Sequence, residues 1–316
     1  MTSGERRRRY LKWGRIFFTI AAVGYLASRV DPTDVLTAFE RLSPSAALLA
    51  ITVVLIGLLC GMVRWWLLLK AYGAIDIPRW PRIAHLYLVG HFYNTYAPGG
   101  VGGDVIRGVA GRKAFGNLDW AGATSGVAVV FIERVIGVSA LLVLAAVASM
   151  IRPIPGIEHV GLFAGLGVLA AAGTLVGIAL APRLASFLPE KIGTPLRALP
   201  RLFYAWPFIL SVLLSIVIHF LNVVAGHTII HSLEPSVTLA QSAVVMPLIA
   251  ASAFFPLTVG GAGVREAAFA ALYGIVGVPE ASAYAASLSF WATQLITAAL
   301  GGVINLMVPL SGEPGE

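Results

Sequence analysis

Pro98-Gly-Gly-Val-Gly-Gly-Asp-Val-Ile-Arg107 and Pro256-Leu-Thr-Val-Gly-Gly-Ala-Gly-Val-Arg265 are the two stretches that decide how this chain folds. Pro, Val, Gly, Gly and Arg stand at the same offsets in both, and Ile106 faces Val264. The copies lie 158 residues apart (256 − 98), half of the 316-residue chain. Both interrupt strongly apolar sequence with glycines, which disfavour a continuous helix. Gly/Pro-broken hydrophobic segments at matching places in two halves point to the substrate site of a repeat-built transporter. Gly and Val are common enough here to coincide by chance. Pro and Arg are rarer inside apolar sequence and favour an internal repeat, spanning about 45–150 and 205–310.

The sequence around the motifs sets the class. Hydrophobic residues make up 58% of the chain and charged residues 12%, with a mean hydropathy of +0.86. A soluble domain carries about twice that share of charge. Several runs reach the roughly 20 apolar residues needed to cross a bilayer. The expected fold is all-α, a polytopic helical membrane protein. Membrane barrels are excluded, because their strands alternate polar and apolar residues. The single cysteine, Cys60, lies in an apolar run, which leaves neither an intramolecular disulfide nor a cysteine-built metal site.

Residues 1–15, with Arg6 to Arg9, Lys12 and Arg15, are read as a cytoplasmic basic tail rather than a cleaved signal. Residues 16–310 form a single transmembrane domain, and 311–316 a C-terminal tail. The net charge of +7 then reflects orientation and contact with anionic membrane lipids, not nucleic acid. Membrane segments are expected at about 16–29, 45–69, 83–97, 121–150, 158–181, 205–231, 238–256 and 283–309. Seven or eight such segments are joined by short re-entrant helices at about 104–115 and 264–278. With the N-terminus cytoplasmic, residues 30–44 form an outer loop, and Lys70, Arg79, Arg82, Arg107, Arg112, Lys113, Arg183, Lys191, Arg197 and Arg201 fall inside. Three spans separate the motifs, so the second copy enters from the opposite face and the repeat is inverted. If 83–97 crosses fully instead, that inference weakens. Irregular backbone at membrane depth needs cover from protein or a watery cavity, which places both motifs inside the protein.

Charges inside apolar sequence carry the chemistry. Arg64, Asp104, Arg107, Glu133, Arg134, Arg265 and Glu266 all sit where a charge costs at least about 2.5–3.5 kcal/mol on insertion scales. Three carboxylates against four guanidiniums allow three pairs with one cation left over. These pairs either lock the bundle or leave arginines for a polar substrate. Glu133 and Arg134 are neighbours on a helix and point about 100° apart, so each should reach a different motif. The expected partners are Arg107 or Arg265 for Glu133, and Asp104 or Glu266 for Arg134. Arg107 and Arg265 each follow a glycine turn by four residues. A planar guanidinium beside free helix-N-terminal amides suits an oxyanion such as phosphate. The candidate substrate-binding set is Asn94, Gly102, Gly103, Asp104, Arg107, Gly260, Gly261, Arg265 and Glu266. Arg64, Glu133 and Arg134 form a buried charge network. No P-loop lysine, nucleophile elbow or cofactor motif is present, so no catalytic residue and no cofactor are assigned. His227 and His231 lie four apart but have no third ligand nearby, and no metal is expected.

Tyr93 through Asp104, then Glu133-Arg134, then Phe255-Pro256 through Gly263-Val264-Arg265-Glu266 resemble the lysylphosphatidylglycerol synthase transmembrane-region family. These are flippase-like integral membrane proteins of bacteria and archaea, and the resemblance runs from about Tyr10 to Pro309. It implies a cytoplasmic-membrane protein that moves a phospholipid or polyprenyl-linked lipid between leaflets, with a lipid-modifying enzyme as a candidate partner. In the best-known members a separate soluble domain attaches the amino acid. This chain ends at Glu316, shortly after its last span, so the synthase activity is not expected to be inherited. The expected function is flipping of an anionic lipid or lipid-linked headgroup between the two motifs. A membrane transferase using a lipid-linked donor, and an accessory subunit of a cell-envelope lipid or glycan synthesis complex, are the alternatives.

Overall fold

A computed structural model describes residues 32–97, 100–116, 125–156, 159–187, 189, 201–252 and 263–310. The expected basic tail, the segment at 16–29, the turn holding Gly260 and Gly261, and the tail at 311–316 lie outside the described residues. Ten α-helices run through the described chain: α1 Pro32–Glu40, α2 Pro44–Ala71, α3 Trp80–Tyr96, α4 Gly102–Arg112 and α5 Ser125–Ile151. They continue with α6 Val160–Leu184, α7 Ala205–Leu233, α8 Leu239–Ser252, α9 Val264–Ile275 and α10 Glu280–Met307. Among the described residues there is no strand, as the unbroken apolar runs required.

Five helices, α2, α5, α6, α7 and α10, are long and apolar enough to cross a bilayer. Helices α3 and α8 have 17 and 14 residues. At 1.5 Å per residue they reach about 26 and 21 Å, short of a hydrocarbon core of about 30 Å. Most of the segments expected at 83–97 and 238–256 is therefore helical, and neither described helix is long enough to span by itself. Many large apolar side chains on the long helices face outward, among them Leu162, Phe163, Leu166 and Leu169 on α6. In water such a face would be an aggregation surface. In hydrocarbon it costs nothing.

Residues 30–44, expected as a loop, instead contain α1. Pro32 presets the first helical turn and Asp34 complements its dipole. Val35, Ala38 and Phe39 give the helix an apolar stripe against the core, and Leu42, just beyond its end, packs there too. Sequence reading overlooked it because nine residues are too few to register as a span.

Helices α2 and α7 pack along each other and form the centre of the bundle. Helix α3 packs on α10 and α8 on α5, while α4 lies against α3 and α5, and α9 against α8 and α10. The short helices approach their neighbours closely through glycine. A Cβ on Gly103 would stand 1.7 Å from the carbonyl oxygen of Gly90, and one on Gly126 2.1 Å from that of Gly108. One on Gly301 would stand 2.0 Å from the Leu88 oxygen. Small residues permit this where apolar burial offers no drive between helices in lipid.

The tight crossings predict a contrast between glycines. Gly103→Ala and Gly126→Ala force backbone apart and should destabilise by about 1–3 kcal/mol, the range for overpacking. Gly165→Ala on α6, with nothing within 4 Å of its Cβ position, should be neutral or slightly stabilising. Thermal unfolding in detergent checks this; equal melting temperatures for Gly103→Ala and wild type would contradict the packing.

Candidate functional site

The five charges of the site come from three helices. Arg64 projects from the C-terminal half of α2, Asp104 and Arg107 from the first two turns of α4, and Glu133 and Arg134 from α5. Glu133, with a side chain 2% exposed, accepts from two guanidiniums at once. Its Oε1 takes Arg64 Nη2 at 2.6 Å and its Oε2 takes Arg107 Nη1 at 2.7 Å. Asp104 is shared in the same way. Arg107 Nη2 donates to its Oδ1 at 2.9 Å, and Arg134 donates to its Oδ2 from Nε at 2.8 Å and Nη2 at 2.7 Å. The links of Glu133 to Arg107 and of Arg134 to Asp104 are both present, but both lead to the first motif, not to one motif each as expected, because Arg265 and Glu266 pair with each other. Separate pairs with one arginine left over are not present. Three guanidiniums instead share two carboxylates in one chain, Arg64–Glu133–Arg107–Asp104–Arg134. Sharing suits burial, because each charged oxygen removed from water needs a charged donor in its place.

The neighbours of the chain complete its hydrogen bonding. Arg64 Nη1 donates to Ser215 Oγ on α7 at 3.0 Å. The Arg107 guanidinium lies 4.8 Å from the Tyr87 ring centroid and 5.6 Å from that of Trp65, within cation–π range. Sequence reasoning passed over Tyr87, Trp65 and Ser215, since an aromatic or serine in an apolar run carries no sign of its partner.

Asn94 has a different task from the open contact expected of it. Val101, before the first turn of α4, has no side-chain oxygen to cap the helix. Asn94 at the end of α3 supplies one: its Oδ1 accepts from the amides of Gly103 at 2.8 Å and Asp104 at 3.2 Å. Its Nδ2 donates to Asp104 Oδ1 at 2.9 Å. Those two amides, expected to be free for an anion, are thus taken. Gly103 is fixed as glycine by its closeness to Gly90, whereas a Cβ on Gly102 would meet only ordinary contacts.

The second motif is described from Gly263 onward. Gly263 has φ of 85°, a left-handed conformation that disfavours a side chain. Its amide donates to Glu266 Oε2 at 2.6 Å, closing the first turn of α9. Arg265 pairs with the adjacent Glu266 through Nε at 2.9 Å and through Nη2, and Ser287 Oγ donates to the same carboxylate oxygen at 3.2 Å. The Arg265 guanidinium stacks 4.9 Å from the Trp291 ring centroid. Arg265 and Glu266 do not join the first network.

Between α2, α3, α5, α7 and α10 lies a cavity of about 370 Å³. Arg64, Arg107, Glu133 and Arg134 form its charged wall, with His91, Asn94, His219, Asn222 and Gln294 among its polar lining. Of the charged groups Arg134 is the open one, its side chain 47% exposed. His91 Nε2 and Arg64 Nε are buried with no hydrogen-bond partner. His227 and His231 are elsewhere, their rings 5.1 Å apart, bonded to Ser242 Oγ and the Val237 carbonyl. No group of three metal-ligating side chains occurs among the described residues.

The chain matches the family described as the lysylphosphatidylglycerol synthase TM region over residues 12–302. It belongs to that family. It is accordingly an integral membrane protein, and the charged cavity lies in the family's transmembrane region. Comparison with curated proteins gives no match.

The shared carboxylates predict a pattern of loss and rescue. Glu133→Gln leaves Arg64 and Arg107 without their common anion and should cost about 3–5 kcal/mol, as when one partner of a buried pair is removed. Arg64→Gln combined with Glu133→Gln removes one charge of each sign and should recover part of that loss. Melting temperatures of the two variants in detergent test the network; no recovery in the double variant would contradict it.

Proposed function

We propose that this protein moves an anionic lipid between leaflets, with the headgroup held in the charged cavity and the acyl chains left in the bilayer. The observation that carries the reading is the half-exposed Arg134 on a network of three guanidiniums and two carboxylates, facing a cavity of 370 Å³. A net positive charge at membrane depth is costly unless an anion meets it. The volume admits a headgroup and not acyl chains. Arg107, the expected phosphate fork, has both terminal nitrogens on carboxylates. Its part in this reading is to hold Asp104 and Glu133, so that Arg134 meets the anion.

An inverted repeat supplies the route. A shift of 158 residues carries α2, α3, α4 and α5 onto α7, α8, α9 and α10 to within about five residues at every end. The packing follows the same exchange: α3 on α10 answers α8 on α5, and α4 on α5 answers α9 on α10. The shift also sets Arg64 against Asn222 and Glu133 against Trp291. Arg107 meets Glu133 as Arg265 meets Trp291. The two half-sites thus correspond in place and differ in charge. Three helices able to cross, α5, α6 and α7, separate α4 from α9. An odd number brings the broken segments in from opposite faces. In this reading the N-terminus is cytoplasmic, in the cytoplasmic membrane of a bacterium or archaeon.

Two measurements test this. Purified protein in vesicles should move fluorescent phosphatidylglycerol between leaflets without altering it. A new lipid product would favour the transferase reading, and intact, immobile lipid would contradict transport. In a Cys60→Ser background, Val101→Cys and Ala267→Cys, both at exposed positions, should react with an impermeant thiol reagent from opposite faces. Labelling of both from one face would overturn the inverted repeat.

A further inference from the structure

The charge count of the cavity separates two classes of anionic lipid that the proposed function leaves together. Arg64, Arg107 and Arg134 stand against Asp104 and Glu133, leaving one net positive charge. No carboxylate oxygen in this network is idle. Glu133 gives one oxygen to Arg64 and the other to Arg107. Asp104 gives Oδ1 to Arg107 and Asn94, and Oδ2 to two nitrogens of Arg134. Arg134 spends Nε and Nη2 on Asp104, so its donors at Nη1 are the ones directed beyond the network. The rest of the polar lining, among the described residues, holds no carboxylate: hydroxyls from Tyr87 and Thr95, amides from Asn222 and Gln294, and imidazoles from His91 and His219. His91 Nε2 is buried without a partner.

We propose that this cavity selects a phosphodiester headgroup bearing uncharged hydroxyls, such as a glycerol or sugar, and rejects one bearing an aminoacyl ammonium. The inference rests on the transport reading and adds a substrate class to it. An aminoacylated headgroup brings an ammonium, for which the described residues of the cavity offer no open carboxylate, into a site already positive. Like charge at low dielectric is a strong basis for rejection. A phosphodiester cancels the surplus charge through Arg134, while the amides and imidazoles both donate to and accept from hydroxyls.

The test measures transport and binding separately. Vesicles carrying the protein are loaded with fluorescent phosphatidylglycerol, phosphatidylinositol or lysyl-phosphatidylglycerol, and transbilayer movement is followed by bleaching the outer leaflet. In parallel, the detergent-solubilised protein is titrated calorimetrically with short-chain forms of these lipids and with free glycerol phosphate. Phosphatidylglycerol and phosphatidylinositol should move and bind at least about tenfold better than the lysyl lipid, a discrimination worth about 1.4 kcal/mol. Arg134→Gln neutralises the network and should bring that ratio close to one, whereas Arg134→Lys should keep most of it. Equal or better binding of the lysyl lipid overturns the inference. So does equal binding of free glycerol phosphate, which would make the cavity a site for a soluble phosphate ester. If no lipid moves yet the binding order holds, the transport reading falls and the headgroup preference stands.

Discussion

Glu133 and Asp104 are the constraint on which the rest of the structure depends. Each is a carboxylate out of water, and in a membrane protein the surroundings offer no solvent to replace it. Two guanidiniums per carboxylate meet the need, and they have to come from different helices. That ties α2, α4 and α5 together at one depth. Helix α4 must reach close enough to place Arg107 between both carboxylates. The glycines at 90, 103, 108 and 126 allow this by letting backbone approach backbone. Asn94 then caps the first turn of α4 and accounts for the amides that the break in the chain exposes. Removing any one of these features leaves a polar group in hydrocarbon without a partner.

The arrangement also explains how one arginine stays open. A separate ion pair for every arginine would bury all charge and leave a neutral, closed wall. Because three guanidiniums share two carboxylates, the network keeps a surplus charge, and Arg134, at the end of the chain of contacts, carries it to the cavity. The second half keeps the same elements in the same order, yet pairs its motif arginine with an adjacent glutamate and a tryptophan. In the proposed transport cycle the first half-site would bind the headgroup more strongly than the second.

Much of this was legible in the sequence. The apolar runs fixed the all-helical membrane class, and the ends of α2, α5, α7 and α10 fall close to the expected spans. That Glu133 and Arg134 take different partners followed from helix geometry, since neighbours on a helix diverge; that both partners, Arg107 and Asp104, stand on the first motif did not. What escaped was whatever depends on distance across the bundle. Nothing in the local sequence of Arg64 says that it shares Glu133 with Arg107, or that Ser215 on α7 lies beside it. Asn94 read as a ligand residue because its helix-capping partner is nine residues on, past a turn. The 158-residue shift, applied beyond the motifs, would have set Asn222 and Trp291 against Arg64 and Glu133. Helix α1 escaped because it is too short to show as a span.

A structure determined in lipid nanodiscs containing phosphatidylglycerol addresses the central claim most directly. The account predicts lipid phosphate density in the cavity between α2, α3, α5 and α7, within hydrogen-bonding distance of the Arg134 guanidinium, with the acyl chains leading out into the bilayer. A cavity empty of lipid, with phosphatidylglycerol ordered only on the outer face of the bundle, would contradict it.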